Sequence, residues 1–291
     1  MVAVTLAERD VHLMRYAAMV ARLHTAEEVR FVHILGEANE RARKEAQVRL
    51  EALVDEHFAD LSDSLTTYCD VLKGPLIDRL LLFASEQEVD LMMVGHRPDH
   101  RPGGGSLTRR MAMGATCSVW IVPEDSALVL QRILVPVDFS TPSADALAVA
   151  LSLARLVKGV DVLPLHVYST NAVLTYEEDE AIVRGEEEQI YGEFTQDMDF
   201  RDVQTRRLFV EGGADVARTI HRVASEQAVD LKVMATRGRS RSAAILLGSV
   251  AEGVITEART PVLVVKHFGA HVGLLKALLN RTRGTDGGPH F

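Results

Sequence analysis

The sequence predicts an α/β protein built from two tandem, open, mostly parallel, doubly wound five-stranded sheets of Rossmann-like form. Three observations carry that expectation. The stretch ASEQEVDLMMVG at 84–95 returns as ASEQAVDLKVMA at 224–235, and an internal repeat defines the fold unit. Each copy is followed by a Gly-Ser pair, Gly105-Ser106 or Gly248-Ser249, that opens a helical stretch and then an apolar run, CSVWIV or TPVLVV. Between these landmarks, short apolar runs alternate with segments of helical spacing, the pattern of parallel β-α-β units with right-handed crossovers. The repeat offset is 133 residues at His33 and His166, 140 at the ASEQ stretches and 143 at the Gly-Ser pairs, so the second copy is the longer.

In the first half the pattern predicts a strand at 2–6, a helix at 10–22, a strand at 29–35 and a long charged helix reaching Glu51. A strand at 65–72, a helix at 77–87 and strands at 90–95 and 118–122 complete it. In the second half, the run RILVPV at 132–137 is a strand ending at Asp138. The helix at 142–157 follows from Ala144, Leu147, Ala148, Leu151 and Ala154 at helical spacing. Strands are expected at 160–167, 203–210, 230–235 and 261–266, and helices at 176–198, 214–227 and 248–258. The carboxylates Glu177 to Glu180 and Glu186 to Glu188 read as the solvated face of the 176–198 helix. These elements define domains at 1–126 and 131–267, joined by a connection short enough to hold them together. Residues 268–291 form a tail outside the repeat. Within it, Val272, Leu274, Leu275, Leu278 and Leu279 suit one amphipathic helix at 271–280, and 284–291 has a disordered composition.

The 291 residues suit two domains that each bury a core, and 47% apolar with 25% charged residues is an ordinary globular balance. A formal charge of −9 argues against nucleic acid as the main partner. Cys69 and Cys117 lack metal-type spacing and suit a reducing compartment. There is no basic segment followed by an apolar one at the N-terminus, and no uncharged apolar stretch of about 18 residues. The expectation is a cytoplasmic protein with no membrane partner.

ILVPVDFS at 133–140, LHVYS at 165–169, and ATRGRSRSAAILLGSVAEGVI at 235–255 ahead of TPVLVVK together resemble a universal stress protein domain. The doubled plan resembles a tandem member of that family, with its adenine nucleotide alpha hydrolase-like fold. The resemblance implies an adenine-nucleotide site of the form G-x2-G-x9-G-[ST], whose positions here are Ala235, Gly238, Gly248 and Ser249. Backbone N–H groups of Gly248, Ser249 and Val250 would donate to phosphate at a helix start. Gly238 would let the chain turn closely past sugar and phosphates. By the same resemblance Asp138 would accept from ribose or adenine, and Val167 and Met234 would lie against the base. Arg237, Arg239 and Arg241 surround the loop and would either face phosphates or form a solvated basic surface. The implied ligand is ATP or ADP, with Mg2+ as a companion ion.

Ala235 departs from the pattern, at a cost of about 1 kcal/mol if the position needs a left-handed backbone and almost none if its φ is negative. Gly-Ser before an apolar helix is also an ordinary helix start, and Asp138 alone also reads as a solvated strand-end carboxylate. The first half departs further. Thr5 stands at the place of Asp138 and Pro98 at that of Gly238, and Gly95 to Gly105 spans ten positions against thirteen. Proline has no N–H to give and cannot take positive φ. Gly103-Gly104-Gly105-Ser106 retains the composition of an anion cradle. His96, His100 and Arg101 invite a metal reading, against which a loop histidine pair without a third ligand is ordinarily solvated. His33 and His166 read as core histidines, and Trp120 and Cys117 as packing against the sheet.

Three functional classes remain: a regulatory module binding adenine nucleotide, a slow ATPase or self-phosphorylating protein, and a scaffold that binds no nucleotide. An enzyme is disfavoured, because the chain has no G-x-x-x-x-G-K-[ST] and the loop from Gly238 to Gly248 carries no lysine, histidine or carboxylate. The runs 118–122 and 261–266 have edges that invite association. Pairing them within one chain is expected, with 271–280 covering apolar surface or joining a second chain in a homodimer.

Overall fold

The computed structural model describes residues 1–23, 26–37, 39–97, 107–168, 188–236 and 247–266. The expectations for Gly238, Arg237, Arg239, Arg241, Pro98, the 103–106 cradle, the 177–180 carboxylates and the 268–291 tail lie outside these residues.

The first half runs β1 (Val2–Val4), α1 (Asp10–Ala21), β2 (Glu28–Leu35), α2 (Glu40–Phe58), β3 (Thr66–Lys73), α3 (Leu76–Glu86), β4 (Leu91–His96), α4 (Leu107–Gly114) and β5 (Ser118–Pro123). The second runs β6 (Arg132–Pro136), α5 (Thr141–Leu156), β7 (Asp161–Tyr168), α6 (188–195), β8 (Gln204–Thr205), β9 (Leu208–Glu211), α7 (Val216–Glu226), β10 (Leu231–Ala235), α8 (Ser249–Thr256) and β11 (Val262–Val265). Side chains fix several helix starts. Asn39 accepts from Ala42 N at 2.9 Å and Asp215 from Arg218 N at 3.0 Å, each satisfying an otherwise orphaned amide.

Among the described residues all strands join one sheet in the order β3-β2-β1-β4-β5-β11-β10-β6-β7-β8, with β9 also on β7. Neighbours are parallel except β5 and β11, which meet antiparallel with Leu263 opposite Trp120. Both strands are buried along their whole length, so the two edges cover one another. The halves therefore form one continuous sheet around a pseudo-twofold axis. Helices α1, α2 and α5 cover one face, and α3, α4, α7 and α8 the other. Across the join, Arg109 on α4 forms a 3.0 Å ion pair with Glu252 on α8. Ser126 pins the connection, accepting from His12 Nε2 at 2.9 Å while its hydroxyl donates to the Pro123 carbonyl at 2.8 Å.

Some boundaries differ from the sequence pattern for identifiable reasons. β1 stops at Val4 because Leu6 takes φ 59°, and Phe139 repeats that turn in the second half with φ 63°. α2 continues seven residues past Glu51, since Ala46, Leu50, Val54 and Phe58 keep one buried stripe and Phe58 meets Phe31 at 4.8 Å. The 203–210 strand divides into β8 and β9, both on β7, around Arg206 and Arg207, although Arg206 N still reaches Val162 O at 3.1 Å.

Candidate functional site

Each half has the strand order 3-2-1-4-5, so its topological switch lies between the first and fourth strands, where open α/β sheets bind ligands at the carboxyl ends. In the second half these are β6 and β10. Leu134 pairs with Lys232 and Pro136 with Leu165. Continued at the same register, Asp138 comes level with Thr236 on one side and Val167 on the other. Gly248 N then donates to Thr236 O at 2.9 Å, which brings the start of α8 back to the end of β10. Gly248 is the N-cap of α8, with φ −66° and ψ 147°, and no side chain caps it. Ser249 is exposed and Val250 half-buried in the first turn.

Asp138 is held by its own loop. Its Oδ1 accepts from Ser140 N at 3.2 Å and Ser140 Oγ at 2.5 Å, and Ser140 in turn caps α5 by accepting from Ser143 N at 3.4 Å. Ala235 is a strand residue paired with Val265 and has no left-handed backbone, so its methyl group carries none of the strain cost weighed above. Met234 is buried in the apolar layer under α7 and α8, and Val167 packs against the same layer.

Sequence reasoning missed an aromatic group beside Asp138. The ring of Phe139 lies 4.3 Å from that of His166, and Phe194 and Tyr191 meet Phe139 at 5.5 and 6.4 Å. Phe209 and Arg207 close the cluster on Tyr191 at 6.1 and 5.1 Å. These residues come from four separate segments, so no spacing could signal them. His166 Nδ1 donates to Val137 O at 2.9 Å, as His33 Nδ1 does to Val4 O at 3.0 Å, which fixes the Nδ1–H tautomer in both.

The first half is closed at the equivalent place. Thr5 sits where Asp138 sits, and the buried carboxylate of Asp10 accepts from Thr5 N at 2.7 Å, Ala7 N at 3.1 Å and Thr5 Oγ1 at 3.1 Å. The repeat counterpart of Asp10 is Ser143, so this inward carboxylate belongs to the first half alone. His96 is not solvated. It is 3% exposed at the end of β4, with Nδ1 3.0 Å from Thr108 Oγ1, and burial lowers its pKa. Among the described residues no group of three or more His, Cys, Asp or Glu is placed to hold a metal, and no helix is long and apolar enough to cross a membrane.

Comparison with known proteins agrees with this architecture. The sequence profile of the universal stress protein family matches residues 1–123 and again 130–266. A universal stress protein from Archaeoglobus fulgidus DSM 4304 superposes with a TM-score of 0.67 at 19% identity, over 92% of this chain and 96% of that one. A putative universal stress protein from Pseudomonas aeruginosa UCBPP-PA14 gives 0.68 at 18%, over 97% of both chains. A universal stress protein in complex with cAMP aligns with 47% of this chain and 97% of its own, at 23% identity and a TM-score of 0.32. With two family matches covering both halves and one sheet running through them, the chain belongs to the universal stress protein family and carries two such domains in tandem.

Proposed function

We propose that the second domain binds ATP, ADP or a related adenine nucleotide, and that the chain acts as a cytoplasmic stress-response regulatory module. The observation that carries this reading is the Gly248 N to Thr236 O closure. It holds an α8 N-terminus without a side-chain cap at the switch point, in line with Asp138 and Val167. The Gly248 amide is taken by Thr236 O and does not serve phosphate as the sequence pattern implied, so this helix start offers the amides of Ser249 and Val250 with the positive end of the helix dipole. The strand conformation of Ala235 supports the reading, because the departure from the glycine pattern is then sterically mild. Thr236 and Gly248, which flank Arg237, Gly238, Arg239 and Arg241 in sequence, meet at this point, and Mg2+ would enter with the phosphates. The Asp10 carboxylate occupies the inner donors of the matching loop in the first domain, so one site per chain is expected. Titration calorimetry with ATP and ADP tests this, and two equal sites, or none at millimolar nucleotide, would overturn it. The tandem pair is the functional unit in this proposal, with residues 271–280 joining a second chain. Light scattering of a chain ended at Lys266 tests that part, and an unchanged oligomer would remove the tail from the interface.

A further inference from the structure

Two glycines hold the same place in the two domains for different physical reasons. Gly74 N donates to Leu35 O at 3.1 Å and Gly212 N to Tyr168 O at 2.8 Å, each tying the end of an outer strand, β3 or β9, to its parallel neighbour. Leu35 and Tyr168 are separated by the same repeat offset as His33 and His166, so the glycines are counterparts. Gly74 takes φ 134°, a backbone that strains any side chain, yet its missing Cβ would find room, with Arg79 Cβ the nearest atom at 3.7 Å. Gly212 takes no positive φ, so its backbone suits any residue. What it lacks is space. A Cβ there would overlap Val167 Cγ1 outright and stand 3.2 Å from Thr219 Oγ1, whereas the missing Cβ of Gly213 meets nothing within 4 Å.

Register explains the crowding. Val167 pairs with Val210 on β9, and Gly212 follows two residues later on the same face of the sheet. That face carries α7, whose Thr219 is buried and bonded to Asp215 O through both N and Oγ1, each at 3.3 Å. Thr219 is therefore fixed, and Val167 is the neighbour that uses the volume a side chain at 212 would need. In the first domain Ile34 stands at the position of Val167, and it does not come within 4 Å of the Cβ position of Gly74. Only in the second domain does the side chain expected against the base lean over a glycine.

We propose that Gly212 is a positioning residue for the base end of the nucleotide site: its missing side chain gives Val167 a seat under α7, and that seat keeps the strand end beside Asp138 open to adenine. The inference rests on the nucleotide reading of the second domain. A side chain at 212 acts through Val167, because Thr219 is held by Asp215 and the backbone at 212 by Tyr168. Non-bonded carbons rest about 3.5–4.0 Å apart, so a methyl group at 212 displaces the Val167 side chain by on the order of 1 Å. The phosphate end belongs to a different element, the start of α8 at Ser249, and keeps its geometry.

The test is a double-mutant cycle on the full chain, with the parent, Gly212→Ala, Val167→Ala and the double variant, read by calorimetry with ATP and with inorganic tripolyphosphate. Gly212→Ala should weaken ATP about tenfold in the parent background, leave tripolyphosphate unchanged, and have no effect on ATP where Val167 is already Ala. Urea midpoints follow the same cycle without any ligand: Gly212→Ala should lower the midpoint of the parent and not that of Val167→Ala. Equal ATP binding by the parent and Gly212→Ala, an equal loss in both backgrounds, or a parallel loss of tripolyphosphate would overturn the proposal while the nucleotide reading stands. A parent that does not bind ATP would overturn that reading and this proposal with it.

Discussion

Arg109 and Glu252, joined by an ion pair of 3.0 Å across the two domains, occupy the same position of the repeat, 143 residues apart. Trp120 and Leu263, opposite one another in β5 and β11, stand in the same relation. Each lies on the pseudo-twofold axis and faces its own counterpart. In a homodimer of identical domains such a position must meet itself, so a charge there would face a like charge. Fusion of the two copies into one chain removes that constraint, and this position has diverged to opposite charges.

The ion pair predicts a charge-swap result. Arg109→Glu places two carboxylates together and should lower the urea midpoint, by about 0.5–1 kcal/mol for a pair this exposed. The double swap with Glu252→Arg should recover most of the loss. Equal midpoints for the single and double variants would show that the pair contributes nothing.

Nucleotide binding should depend on the α8 start. Gly248→Val adds a branched side chain over the amides and should abolish ATP binding in calorimetry while far-UV circular dichroism stays unchanged. Ser249→Ala removes only a hydroxyl and should weaken binding about two- to tenfold.

Asp10 should matter for stability rather than for ligand. Asp10→Ala leaves the Thr5 and Ala7 amides without their acceptor and should cost about 1–3 kcal/mol in denaturant unfolding. Thr5→Asp brings a second carboxylate to the same spot and should also destabilise, and adding Asp10→Ser, the residue of the second domain, should relieve that cost.

The pair of Lys232 and His221 predicts a pH profile. Lys232 is fully buried on β10 where the repeat has Met92, and its Nζ lies 3.2 Å from His221 Nδ1. Burial lowers Lys232 to about 8, and burial with the neighbouring Lys232 charge lowers His221 to about 4. Both folded values lie below the unfolded ones, so the unfolded chain binds protons first as pH falls. Stability should therefore drop as pH falls from about 10.5 to 8, stay level to about 6.5 and drop again towards 4. Lys232→Met should raise stability at pH 7 by about 1–3 kcal/mol and remove the alkaline slope. Urea midpoints measured from pH 4 to 10 check both limbs.

The fold was legible because the repeat appears in the sequence itself. ASEQ-VDL marks the same helix and strand twice, and β-α alternation then leaves few topologies. The return of the α8 start to the end of β10, level with Asp138, could be expected from the spacing that the second half keeps. The sealing of the first loop could not, since Asp10 looks like any acidic residue at a helix start until its carboxylate is seen turned back onto Thr5. Phe139 and His166 were hidden for a related reason. Their contact depends on a left-handed turn at Phe139, a residue type for which positive φ is uncommon.

The antiparallel join of β5 and β11 gives the molecule two unlike rims. Along one rim the carboxyl ends of the second domain's strands stand beside the amino ends of the first domain's, so the strand end at Asp138 lies on the side where β1 begins. Along the other rim lie the loop sealed by Asp10 and the start of β6. A dimer of identical domains would show the same features on both rims. This chain has a front and a back, and the two can be told apart by whatever meets it.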